Sequence, residues 1–215
     1  MATTATIPDC QTGPATAFFG AALQKMIINA AAEIITIWSE LLAGLGLDFT
    51  VKVVSGIDES WPHDLKGEEI PLYISREKAA PYKQAIAKDE LVITADTIVY
   101  VDGQVLGKPL DKADARRMLL LISGRWHEVI TGVTLMTSRK ERSFAVTTKV
   151  RFCNLTDDEI NSYVESGLPM DKAGAYGIQD WIGYVGVEAI EGSYFNVVGL
   201  PVQRLYRELI NFCKN

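Results

Sequence analysis

Apolar residues in this chain fall in short runs separated by Gly, Pro and charged clusters. The least interrupted run is Leu91–Ala95. A segment that is nearly apolar throughout is the pattern of a strand buried on both faces. β-Branched and aromatic residues carry the pattern on from Thr97 to Val101, and Asp102-Gly103 supplies the positive φ angles of a tight hairpin turn before Gln104–Leu106 returns. Elsewhere the period is helical. Ala115, Met118, Leu119 and Ile122 recur behind Asp111, which predicts a helix over Lys112–Ile122 with Asp111 as its N-cap. Thr156 with Glu159 three residues on is a capping box, so a helix should run to about Ser166. Pro201 opens a last helix whose apolar stripe is Val202, Leu205, Tyr206, Leu209 and Ile210. Trp126–Met136 and Arg142–Phe152 read as strands, the second with Phe144, Val146, Val150 and Phe152 on one face.

The remaining stretches are less regular. Lys25–Ile37 carries both strand and helix signals. Ser39–Leu45 reads as a helix stopped by Gly46, and Phe49–Val54 as a strand. Ser55–Glu69 is a polar loop. Ile70–Lys88 predicts one long helix with Tyr73, Ile74, Ala80 and Ile86 on its buried side, and Pro81 is the place where it could kink or break. Trp181–Ile190 reads as a strand between two Gly-punctuated loops, 171–179 and 191–201. Residues 1–24 read as a loose extension, and 25–215 as a single domain. Strands and helices alternate with hairpins mixed in, which predicts an α/β fold around a mixed sheet.

Composition narrows the function. Hydrophobic residues make up 48% and charged residues 22%, as in an ordinary globular protein, and the net charge is −6. That balance gives no basic field for a nucleic acid polymer, while a local Lys/Arg cluster can still hold a small anion. Cys10, Cys153 and Cys213 are far apart and odd in number, so reduced thiols in a cytoplasmic protein fit better than a disulfide framework or a zinc site. His63 and His127 are the only histidines. No apolar run approaches the roughly 20 residues of a membrane span, and no signal peptide is apparent.

The candidate chemistry sits around the hairpin. Asp96 lies at the end of a buried strand, where a carboxylate is costly unless a cation, a proton or donors meet it. The return strand ends in Gly107-Lys108-Pro109, so the hairpin could bring Lys108 to the same end of the sheet. Asp58 and Glu59 add acidic groups. Arg76, Lys78, Arg125 and Lys172 add basic ones, and Lys172 and Gln179 flank glycines that permit close approach to a ligand. Acids that hold magnesium beside bases that hold phosphate oxygens are the usual needs of phosphate-transfer or pyrophosphate-cleavage sites. The alternative is a strand-end Asp and solvated Lys and Arg side chains. There is no GxxxxGK[ST] loop, no GxGxxG after a strand and no GxSxG elbow. His127 reads as a structural hydrogen-bonding residue.

These residues match a family pattern. Glu40 to Leu47, Ile57-Asp58-Glu59-Ser60, Arg76-Glu77-Lys78-Ala79, Ala95-Asp96-Thr97-Ile98-Val99 and Gly107-Lys108-Pro109 come first. Ser123 to His127 with Val129 and Thr131-Gly132, Asp171 to Gln179, Gly192-Ser193-Tyr194 and Asn196 to Pro201 follow in the same order. In these motifs the chain resembles the Maf family of nucleoside triphosphate pyrophosphatases, related in fold to inosine triphosphate pyrophosphatases. The resemblance implies an elongated, twisted mixed sheet flanked by helices, with two lobes and a central cleft. It implies hydrolysis of a nucleoside triphosphate to the monophosphate and pyrophosphate with a divalent metal, Mg or Mn, and it favours a homodimer. Carried over by position, Asp96 is implied as the proton acceptor that activates water and, with Glu59, as a metal ligand. Lys78 and Lys108 are implied as phosphate ligands, and Thr97 and Gln179 as base-selecting positions. Lys172 and Arg125 complete the expected substrate-binding set. Ala95-Asp96-Thr97 resembles the branch acting on dTTP and UTP, with modified pyrimidine nucleotides as further candidates.

One segment departs from the pattern. The family opens with Ala-Ser-x-Ser-Pro-Arg-Arg. Counted back from Leu41-Leu42, this chain has Ala32-Glu33-Ile34-Ile35-Thr36-Ile37-Trp38, so Ile37 and Trp38 stand where two arginines are expected. Neither can make charge-assisted bonds to a phosphate. Losing such a pair would cost on the order of a thousandfold in rate. The segment 26–39 is therefore either a local reading-frame error, which resequencing across codons 30–40 would reveal, or real divergence. Real divergence raises a second reading, a catalytically impaired nucleotide-binding protein with a regulatory role.

Overall fold

The computed structural model describes residues 25–29, 35–47, 49–52, 54 and 56–214. The expected loose extension, residues 1–24, lies outside the described residues. Seven strands form one mixed sheet flanked by helices: β1 (Lys25–Asn29), β2 (Phe49–Val51), β3 (Glu90–Val101), β4 (Gln104–Leu106), β5 (Trp126–Met136), β6 (Glu141–Phe152) and β7 (Val187–Glu191). Their order is β2-β1-β3-β5-β6-β7, with β4 pairing β3. β1 runs parallel to both β2 and β3, whereas β3/β4 and β6/β7 are antiparallel. The helices are α1 (Ile35–Gly44), α2 (Glu69–Ala79), α3 (Lys112–Ile122), α4 (Asp157–Glu165), α5 (Trp181–Gly186), α6 (Tyr194–Val198) and α7 (Val202–Lys214). The chain divides into two compact units. The first is Met1–Asp96, Gly132–Ala145 and Gly199–Asn215, and the second is Thr97–Thr131 and Val146–Val198.

The run Leu91–Ala95 is buried at every position, as a strand enclosed on both faces should be. Val101 pairs with Gln104 across the two-residue turn, where Asp102 has φ 48° and Gly103 φ 81°. Asp111 caps α3 by accepting from the Asp114 amide at 2.8 Å, and the Thr156–Glu159 capping box is complete at the start of α4.

Four expectations change. The ambiguous stretch 25–37 contains β1 and the start of α1, separated by residues outside those described. The strand predicted over Phe49–Val54 is only the three residues of β2. The helix predicted over 70–88 ends at Ala79 and gives way to a 3-10 turn over Ala80–Tyr82, because Pro81 has no N–H to extend the ladder. Ala79 and Tyr82 are therefore buried instead of Ala80, which faces solvent. The strand predicted over 181–190 begins only at Val187, and Trp181–Gly186 is helical. Ile182, Gly183 and Gly186 are its buried positions, at helical spacing. A Cβ on Gly183 would lie 2.0 Å from the Ile178 carbonyl oxygen, and one on Gly186 would lie 2.7 Å from the Phe152 ring. Glycine at these two positions lets the helix sit where side chains would exclude it.

In the first unit α2 presses on β5 at Gly132, where a Cβ would lie 2.3 Å from the Pro71 carbonyl carbon. Ile27, Ala79, Tyr82, Val92 and Met136 form one apolar cluster there. In α7 the predicted stripe is joined by Glu208, which is buried between Arg142 at 2.6 Å and Arg204 at 2.8 Å, while Tyr206 and Ile210 are only half-buried. The second unit packs α3 and α4 over Val99, Val101, Val129, Val150 and Phe152. His127 lies inside this core at 2% exposure, with Nε2 2.7 Å from the Tyr176 hydroxyl and Phe152 alongside. Among the described residues no helix is long and apolar enough to cross a membrane.

Two consequences are measurable. Burial pushes the His127 pKa down to about 4. The unfolded chain then binds a proton that the folded chain refuses. Stability should be full above about pH 6.5 and should fall by about 3 kcal/mol as pH drops to 4. Urea unfolding at pH 7 and pH 4.5 should show this loss in the native chain and a smaller one in His127→Gln. Gly132→Ala should destabilise by about 3 kcal/mol or more, since backbone rather than a flexible side chain blocks the new methyl, and chemical unfolding will measure it.

Candidate active site

Helix α2 brings Lys78 in its last turn, and β3 brings Asp96. Their side chains meet with Lys78 Nζ 2.7 Å from Asp96 Oδ1. Glu59, from the polar stretch before α2, places Oε1 3.0 Å from the same ammonium. Lys78 and Asp96 are 13% and 12% exposed, while Glu59 is 59% exposed, so the cluster has a dry end at the strand and an open end at the loop. Burial alone would push the Lys78 pKa down. The Asp96 carboxylate and then Glu59 outweigh it and hold the ammonium above its usual range. Lys78 is thus a fixed positive charge at neutral pH and not a candidate base. Asp58, the neighbouring acid, is occupied locally: its Oδ1 accepts the Ser60 amide at 2.9 Å, which lowers its pKa.

Helix and strand meet at two points. Ser75 and Lys78 are three residues apart on α2 and share a face. Thr94 and Asp96 are two apart on β3 and share a face. Thr94 Oγ1 donates to the Ser75 carbonyl at 2.6 Å, one step behind the Lys78–Asp96 pair. Sequence reasoning placed Lys78 and Asp96 in the site but not together, since nothing local sets the register of α2 on the sheet. It left Thr94, Ser75 and Thr134 unread as well, and buried hydroxyls inside apolar runs were the available signal.

The other predicted residues belong to the second unit. Thr97 Oγ1 is 2.9 Å from Thr131 Oγ1. Lys108 is exposed after β4, and the Gly107 carbonyl accepts the Gly174 amide at 3.0 Å, which sets the Gly107-Lys108 turn beside the 172–179 segment. In that segment Gly174 has φ 70° and Ala175 φ 60°. A left-handed alanine stores about 1 kcal/mol or more of strain. A Cβ on Gly174 would lie 2.7 Å from Val99, so the loop must be glycine there. Lys172 Nζ donates to the Leu168 carbonyl and to Asp171, both at 2.7 Å, and lies 3.6 Å from Asp180. Gln179 is exposed. Arg125 donates to Asp102 at 3.0 Å across an exposed surface. The structure thus brings Glu59, Lys78 and Asp96 together, and sets the Lys108 turn against the Lys172 loop.

Glu59 and Asp96, both met here by the Lys78 ammonium, are the carboxylates that could hold a hard divalent ion of the magnesium type, which takes one or two protein carboxylates and completes its shell with water and phosphate oxygens. Among the described residues no group of three or more His, Cys, Asp or Glu is placed to hold a metal ion. Of the segment that departs from the family pattern, Trp38 lies in α1 and is 3% exposed, with its indole Nε1 unpartnered among the described residues; Ile37 beside it is half-buried. No guanidinium comes from either position.

Comparison with known proteins finds relatives over most of the chain. The dTTP/UTP pyrophosphatase of Phocaeicola vulgatus is 59% identical over 170 residues, covering 79% of this chain and 88% of that protein. The protein of the same name from Bacteroides fragilis is 58% identical over the same length and shares. That from Parabacteroides distasonis is 55% identical over 172 residues, covering 80% of this chain and 89% of its own length. The family described as Maf-like protein matches residues 38–212, which begins at Trp38 and takes in Glu59, Lys78, Asp96 and Lys108. The chain belongs to the Maf-like protein family.

Proposed function

We propose that this chain hydrolyses nucleoside triphosphates, dTTP and UTP first among them, to the monophosphate and pyrophosphate. The observation that carries the reading is the convergence of Asp96 and Glu59 on the Lys78 ammonium, in a chain whose relatives bear the name dTTP/UTP pyrophosphatase. Asp96 accepts the proton of a water as that water attacks the α-phosphorus. The bond between the α-phosphorus and its bridging oxygen breaks, and pyrophosphate leaves. Lys78 stays charged throughout and neutralises oxygen charge that builds up near Asp96. Glu59 and Asp96 would hold the divalent ion, which would neutralise phosphate charge and help lower the pKa of water.

Lys108 serves this reading as a phosphate ligand, and Thr97 and Gln179 as the base-selecting pair. Lys172 and Arg125 join only by giving up Asp171 and Asp102. The remaining parts of the proposal are action in the cytoplasm, where nucleotides are the substrate pool, a homodimer, and a single catalytic domain over residues 25–215.

A second reading has its own support. Trp38 is buried with an indole unpartnered among the described residues where the family pattern expects a phosphate-gripping arginine. On that reading the chain binds nucleotide and turns it over poorly.

Pyrophosphate release should be measured over a panel of nucleoside triphosphates with magnesium. The native chain should favour dTTP and UTP. Asp96→Asn should lose on the order of a hundredfold to ten-thousandfold in kcat, as expected for removal of a general base. Restoring Arg at both 37 and 38 should raise the rate. If only the restored chain turns over and the native chain binds dTTP by calorimetry, the second reading holds. No turnover from either would end the hydrolase reading.

A further inference from the structure

The first unit holds a chain of buried hydroxyls whose direction can be worked out. Ser75 Oγ donates to the Leu72 carbonyl at 2.9 Å and so spends its only proton. In its 2.9 Å contact with Thr134 Oγ1, Thr134 must therefore donate. Thr134 has then spent its own proton, so Ser143 donates in the 2.9 Å contact between those two. Ser143 Oγ accepts from Arg76 Nε at 3.1 Å. The order is Arg76, Ser143, Thr134, Ser75, Leu72, with every proton pointing one way. It starts on α2, crosses β6 and β5, and ends on α2 one turn earlier. A guanidinium at its head polarises each hydroxyl in turn. Ser75, Thr94 and Thr134 are fully buried, where an unmet hydroxyl would be costly, and each is met.

We propose that Thr94, Ser75, Thr134 and Ser143 are positioning residues that fix α2 on the sheet so that the Lys78 ammonium is held at Asp96. The Thr94 bond to the Ser75 carbonyl sets the helix against the strand one step behind the ion pair. The hydroxyl chain locks Ser75 from the other side. Gly132 lets the helix backbone come close enough for both: on β5 it lies two residues before Thr134, on the same face, against Pro71. Arg76, one of the basic candidates for phosphate, is thereby the head of a structural chain. The proposal rests on the reading of Lys78 and Asp96 as working residues, but its test reads Lys78 directly and does not need turnover.

The test is the rate of Lys78 acylation by an amine-reactive acetylating ester, read peptide by peptide by mass spectrometry, with exposed Lys83 as the internal control. Thr94→Val should label Lys78 on the order of tenfold faster than the native chain, with Lys83 unchanged, because a freed helix end lets the ammonium leave its carboxylates. Thr94→Ser keeps the hydroxyl and should label within about twofold of native. Where the chain is active, Thr94→Val should lower kcat on the order of tenfold with KM little changed, and Thr94→Ser should restore it. Native-rate labelling of Lys78 in a folded Thr94→Val, or equal acceleration by Thr94→Ser, overturns the proposal. Should Thr94→Val fail to fold, Ser143→Ala decides in the same way, since it breaks the chain at its half-buried end. An inactive native chain with slow Lys78 labelling and a fast Thr94→Val supports the positioning role while removing the hydrolase reading.

Discussion

The Glu59–Lys78–Asp96 cluster is built on one ion pair at the edge of a dry interior. Lys78 and Asp96 are each almost nine-tenths buried, at 2.7 Å, and each charge offsets much of the cost of burying the other. Removing one partner from a buried pair typically costs about 3–5 kcal/mol. The pair therefore joins stability to chemistry. The carboxylate proposed to take a proton from water is also the group that pins the last turn of α2. Glu59 reaches the same ammonium from an exposed loop, so the cluster opens toward solvent on the side where a phosphate and a metal could enter.

An ion pair of this kind needs its elements set to within a fraction of an ångström, and the neighbouring residues supply that. Gly132 removes the side chain that would hold α2 off β5. Thr94 bonds a helix carbonyl beside the pair, and the hydroxyl chain from Arg76 through Ser143, Thr134 and Ser75 ties the same turn from behind. In the second unit the comparable device is a turn at positive φ closed by the Gly174 amide on the Gly107 carbonyl. Gly174 and Ala175 both sit at positive φ and hold the 172–179 loop against the Gly107-Lys108 turn. Loops held in this way are common where ligands bind.

Much of this could be read from the residues because it is local. Asp102-Gly103 demands a tight hairpin, and Asp111 and Thr156 with Glu159 cap their helices. The run 91–95 says that its strand is enclosed. What could not be read was set by distant contacts or by sterics. The strand-like stretch 181–186 is helical, and Gly183 and Gly186 let that helix lie against Ile178 and Phe152. At Pro81, by contrast, the sequence already marks a possible kink or break, and the helix does end there. In the site, Glu59, Lys78 and Asp96 could be picked out by type, but their meeting is a long-range event. The same holds for Arg76, whose charge suggested a ligand and whose partner is Ser143. The family match begins at Trp38, which is buried with an indole unpartnered among the described residues where the family pattern expects an arginine.

The most direct test of the account is a double-mutant cycle on the central pair, measured as kcat/KM for dTTP with the native chain, Lys78→Met, Asp96→Asn and the double variant. If the two side chains act as one unit, the double variant should be no worse than the poorer single one, because the first substitution already disables the pair. Losses that multiply would mean that Lys78 and Asp96 act independently, and that their contact is incidental to catalysis.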